Sequence, residues 1–197
     1  MNYNVKRNWV IGASLVLLIV FYLFRNLSEF TRFGGVIFGL LLFFFVDYFL
    51  NLNFKFIHYV YVLAILFFGI MLSPLYFLYP SYDKILHFCL PFIACFLIYY
   101  LVDKQSLNLK WKLLITFMFI ISFSAIHEIG EYLIDQIWDF KLQGVWLRSG
   151  PLGLEKIDMV VSHIDDTMID MIIGMGGALA FVITKSIGMF IKNKKKK

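Results

Sequence analysis

Apolar residues dominate long stretches of this chain, and polar ones punctuate them at intervals that suit a bilayer. A helix needs about 20 mostly apolar residues to cross the hydrocarbon core. Six stretches meet or approach that length: Trp9 to Phe24, Gly35 to Leu52, Phe56 to Tyr79, Ile85 to Val102, Trp111 to Trp138, and Met168 to Ile191. The pattern predicts an all-α protein, a polytopic transmembrane helical bundle of about six spans forming a single integral membrane domain over residues 1–197. Lys6 and Arg7 precede the first stretch as they would in a signal peptide, but no A-x-A-like cleavage site follows, so the segment is expected to be retained. The connections are short apart from Asp139 to Thr167. Gly144, Gly150, Pro151 and Gly153 make that one a folded-back loop, with room for a short interfacial helix.

Composition agrees. Hydrophobic residues make up 61% of the 197 and charged residues 16%, against about 45–50% and about 25% in soluble domains. Mean hydropathy is +0.80. One soluble core of this size could not hide so much apolar surface. Cys89 and Cys95 lie six apart in one apolar run and read as small buried residues, without metal or disulfide spacing.

The net charge of +5 does not point to nucleic acid, because the basic residues form no single soluble face. Five of the 18 Lys and Arg fall in the last six residues, as a polybasic membrane anchor or a stop-transfer flank would place them. With six spans, one side carries twelve basic residues and the other six. The bias predicts both termini inside, N-in and C-in. Trp111 and Trp138 bracket the fifth span as interfacial anchors do.

Candidate chemistry lies where charges enter the spans, since ionisable residues there are expensive and tend to be functional. Asp83 and His87 share a face at the outer start of the fourth span. His127, Glu128 and Glu131 lie in the outer part of the fifth. His163, Asp166 and Asp170 share a face at the start of the sixth, beside Thr167. Three helices thus bring carboxylates and imidazoles to one leaflet. That ligand set suits Zn, Mn, Fe or Mg, so a divalent metal is the candidate cofactor. Its candidate ligands are Glu128, Glu131, His163, Asp166 and Asp170. His87, Glu128 and Glu131 are the candidate acid/base residues, and Asp83, Lys84, Asp166, Thr167 and Asp170 the candidate binding residues. The same groups could serve a proton relay. They could also be packing groups, with carboxylates paired to Lys84 or Arg148 and bonded to Thr167 or Tyr132. Asp47 and His58, with Asn51 and Asn53 between them, read as interfacial groups and not as a second site. Gly174 to Ala178 is a small-residue patch that permits close helix contact.

The order Asp83-Lys84-x-x-His87-Phe88, Glu128-x-x-Glu131, Asp166-Thr167-x-x-Asp170-Met171 resembles the YjdF family of bacterial inner-membrane proteins. It is also distantly similar to VanZ-like proteins, through the Asp-Lys-x-x-His motif and a later acidic residue before a Gly-rich helix. The resemblance covers roughly Tyr82 to Ala180 and implies a multi-pass protein of the bacterial plasma membrane whose biochemical activity is not established. It implies shared positions at Asp83, His87, Glu128, Glu131, Asp166 and Asp170. His127 departs from that pattern, so a metal role for it is not inherited. Membrane lipids are the expected partners. Three functions remain open: an enzyme on a lipid or envelope-derived substrate, a proton-coupled carrier, and a non-catalytic structural protein. Almost purely apolar inner halves of the last three spans weigh against a carrier.

Overall fold

A computed structural model describes residues 2–24, 27–138, 141–149 and 156–194. Among them are six α-helices and one two-stranded sheet. Five of the helices are long and apolar enough to cross a membrane. The chain divides into two compact units, Met1–Ser73 and Pro74–Lys197.

The first unit holds α1 (Tyr3–Phe24), α2 (Leu27–Phe49) and α3 (Phe56–Leu66). The third predicted span differs from the expectation. Its helix stops at Leu66, continues as a π turn over Phe67–Met71, and gives way to a 3₁₀ turn over Ser73–Phe77. Pro74 follows closely and has no amide hydrogen with which to prolong a helix. The helical part, 11 residues plus 5, is about 24 Å long, short of the roughly 30 Å hydrocarbon core.

A tight turn joins α2 to α3. Asn51 (φ 50°) and Asn53 (φ 56°) take the left-handed conformation, which Asn tolerates better than most residues. At the head of α3 the Lys55 amide donates to His58 Nδ1 at 2.9 Å.

The second unit holds α4 (Pro80–Asp103), α5 (Leu109–Trp138), a hairpin of β1 (Val145–Ser149) and β2 (Lys156–Val161), and α6 (His163–Lys194). Pro80 opens α4, where its missing amide hydrogen is harmless. Asn108 caps α5 by accepting from the Trp111 amide at 3.1 Å. Ser162 caps α6, accepting from the Asp165 amide at 3.3 Å while its hydroxyl donates to the Asp165 carboxylate at 2.6 Å.

All three helices of this unit pack pairwise. At one end they share a core of Cys95, Tyr99, Leu113, Ile120, Ala178 and Phe181. The small-residue patch makes the close approach its composition permits: a Cβ on Gly177 would lie 2.1 Å from the Phe88 carbonyl oxygen. Both cysteines are free, with Cys95 fully buried.

The long connection folds back as expected, but as an antiparallel hairpin where a short helix was the alternative. Val145 pairs with Val161 and Trp146 with Met159, with an irregularity between Val145 and Trp146. Gly150, Pro151 and Gly153 lie outside the described residues.

Candidate functional site

Asp83, Lys84 and His87 occupy the first turns of α4. Pro91, four residues beyond His87, lies inside the same helix and has no amide hydrogen to give the His87 carbonyl. The helix therefore leaves an acceptor free of its usual partner beneath the polar cluster.

Lys84 is the hub. Its Nζ donates to Asp83 Oδ2 at 3.0 Å, to Asp170 Oδ1 and Oδ2 at 2.7 and 2.9 Å, and to Asp166 Oδ1. His87 bridges α4 to α5: its Nε2 is 3.4 Å from Asp83 Oδ1 and 4.0 Å from Asp170 Oδ2, and its Nδ1 is 3.6 Å from Glu128 Oε1. The His87 and His127 rings meet edge to face at 5.9 Å. His127 Nδ1 lies 3.8 Å from Glu131 Oε1 on the next turn. Glu128, Asp166 and Asp170 are buried, whereas His127 is exposed.

Two triads have the proximity a metal requires. The ligand atoms of Asp83, His87 and Asp170 all lie within 4.8 Å of one another, as do those of His127, Glu128 and Glu131. The structure thus brings together Asp83, Lys84, His87, Glu128, Glu131, Asp166 and Asp170 from three helices. His163 is placed apart. It is exposed at the head of α6 and meets the Trp146 ring at 6.0 Å. Thr167 joins the cluster from α6, its side chain hydrogen-bonded to Glu128, and it also accepts from Gln143 Nε2 at 3.2 Å.

A strap formed by residues 141–144 joins the cluster without any signal in the sequence. The Gly144 amide donates to Asp166 Oδ2 at 2.8 Å. Asp135, one turn beyond Glu131 on α5, accepts from the Leu142 and Gln143 amides at 3.0 and 2.8 Å. Asp135 continues the acidic spacing of Glu128 and Glu131, the one pattern that could have drawn attention to it. The two oxygens of Asp166 therefore serve different masters, Lys84 on one side and the strap on the other. Gly144 has φ +84° and lies against Val161 and His163, so a side chain there would be strained and crowded.

Charge does not balance here. Among the described residues five carboxylates (Asp83, Glu128, Glu131, Asp166, Asp170) face one lysine and two imidazoles; the side chain of Arg148, a partner the sequence offered, lies outside the described residues. Even with both imidazoles charged, two negative charges are left over among these groups. Uncompensated charge is costly in a low-dielectric setting, which favours protons or a further cation here.

A second polar group lies in the first unit, where interfacial residues were expected. Asp47 and His58 are both buried, and so is Lys6. Lys6 Nζ donates to Asp47 Oδ2 at 2.6 Å, Tyr59 Oη donates to the same oxygen at 2.7 Å, and the Phe54 amide donates to Oδ1 at 3.0 Å. The Tyr3 hydroxyl donates to the Asp47 carbonyl at 3.0 Å, and its ring centroid lies 4.3 Å from Lys6 Nζ.

These features define a multi-pass helical membrane protein with a polar cluster among three helices of its second unit. Residues 7–189 match a family described as a predicted membrane protein, DUF2238, and the chain belongs to that family, which is the YjdF family. No curated protein and no solved structure matches the chain.

Proposed function

We propose that this is a metal-dependent enzyme of the membrane surface, acting on a lipid or other envelope-derived substrate. The observation that carries the reading is the pair of adjacent carboxylate–imidazole triads, Asp83–His87–Asp170 and His127–Glu128–Glu131, in a cluster with surplus negative charge. A divalent cation seated in either triad would offset that surplus and polarise a substrate carbonyl or phosphoryl oxygen. His87 touches carboxylates of both triads, so it can pass a proton between them. Glu128 is placed to act as acid or base. Lys84 holds Asp166 and Asp170 and fixes α4 against α6.

A carrier needs a polar route to the other side. The shared core of Cys95, Ile120, Ala178 and Phe181 fills the space between α4, α5 and α6 toward their other end, which favours the enzyme over the carrier. The bias of basic residues supports an orientation with both termini inside, and the family resemblance supports a bacterial plasma membrane. The distant similarity of Asp83-Lys84-x-x-His87 to a VanZ-like motif supports envelope substrates as well.

Elemental analysis of detergent-purified protein tests the reading, with wild type beside a Glu128→Ala/Asp170→Ala variant. Stoichiometric metal in the wild type, lost from a variant that still elutes as a folded species, is the expected outcome. Metal-free wild type after purification with divalent cations present would overturn it.

A further inference from the structure

A two-stranded hairpin has little stability alone in water, and this one is covered only in part: Val145 at its base is buried and β1 lies against α4. Met159 and Val160 are consecutive on β2, where the pairing with β1 is irregular. They are 48% and 56% exposed. In the segments that flank the hairpin Trp138, Leu142 and Ile164 are exposed too, Ile164 at 78%. Met168, one turn beyond Ile164 on α6 and so on the same face, is also exposed.

Connectivity fixes where the hairpin lies. It joins the end of α5 to the start of α6, both long and apolar enough to span a bilayer, so it sits at one membrane edge. Lys141 Nζ lies over the Trp146 ring, 4.5 Å from its centroid, and the Trp146 indole donates to the Gln143 carbonyl at 2.8 Å. An aromatic ring beside a long cationic side chain suits the headgroup level. The hairpin is also tethered, through Asp135 to Leu142 and Gln143, Asp166 to Gly144, and Thr167 to Gln143.

We propose that the base of the β1–β2 hairpin is an interfacial element whose exposed apolar residues, Met159 and Val160, insert into the lipid headgroup region beside α5 and α6. Its tethers then hold Asp166 and the neighbouring cluster at headgroup depth. The insertion stands independently of whether metal is bound.

The test uses the full chain in lipid nanodiscs, with Cys89→Ala and the fully buried Cys95 retained. A single cysteine replaces Met159 in one sample and Val160 in another, and each carries an environment-sensitive fluorophore. Lipids bearing a nitroxide near the headgroup should remove most of the emission at both positions, and aqueous iodide little of it. Strong iodide quenching without lipid quenching at either position would place that face in water and overturn the proposal. Protection from both quenchers would overturn it too, because the face would then be covered by protein, as in a second copy of the chain. Metal content measured on the same preparations reports separately on the enzyme reading.

Discussion

Both units set a lysine against aspartate, yet the two arrangements differ in stoichiometry and access. In the first, Lys6 and Asp47 are 1% and 0% exposed, and the carboxylate accepts from Lys6, Tyr59 and the Phe54 amide. In the second, Lys84 keeps 21% of its side chain exposed and serves three carboxylates, with two more close by. The first is a buried one-to-one pair. The second, among the described residues, has more carboxylates than cations and keeps its lysine partly exposed. A charge within a membrane segment can therefore be a matched pair that fastens helices, and only the balance of partners around it separates that case from the cluster.

The largest effect should come from breaking the closed pair. Lys6→Met leaves a buried carboxylate without its cation, a change that costs about 3–5 kcal/mol. Thermal denaturation in detergent should show a large drop in stability, and Lys6→Met/Asp47→Leu should recover much of it. A single variant as stable as wild type would mean that the pair does not fasten α1 to α2.

Helix contact separates the units next. Gly177→Ala sets a methyl against the Phe88 backbone, which cannot move without shifting α4. The expected loss is about 1–3 kcal/mol or more. Gly39→Ala in the first unit meets only the flexible end of Leu66, with its nearest atom at 2.6 Å, and should cost less. Gly176, with no atom nearer than 3.9 Å, is the control. Equal losses at Gly177 and Gly176 would contradict the close α4–α6 approach.

Lys84→Met sharpens the comparison from the other side. Because Lys84 is partly exposed, water screens the orphaned carboxylates and the loss should be about 1–2 kcal/mol. Added Mn²⁺ or Mg²⁺ should restore stability to this variant, whereas the same ions should leave Lys6→Met unchanged. No cation response in Lys84→Met would argue that protons alone balance the cluster. The smallest effect expected is that of Tyr59→Phe, which removes one of three donors to Asp47 and should cost about 1 kcal/mol in the same denaturation assay.

Much of the second unit was legible in the chain. Asp83 and His87, His127 and Glu131, and Asp166 and Asp170 are each four apart, and a helix must stack such residues on one face. Because three helices carry them at matching depth, their convergence needed only that the helices pack. His163 shared that spacing with Asp166 and Asp170 but is exposed, with its ring against Trp146. The first unit was far less legible. Lys6 read as a charged flank and Asp47 as an interfacial group. Their meeting depends on how α1 and α2 are rotated about their axes, and no local pattern records that.

The sequence by itself determined that this chain is helical and membrane-embedded, because hydropathy and helical period are local quantities summed over neighbouring residues. It also determined which residues share a helix face. Tertiary structure alone decided the strap that grips Asp166 through Gly144 and the division of charges into one matched pair and one carboxylate-rich cluster. Each of these rests on contacts between segments far apart in the chain. There the free energy of pairing a buried charge depends on distance and burial, neither of which the order of residues contains.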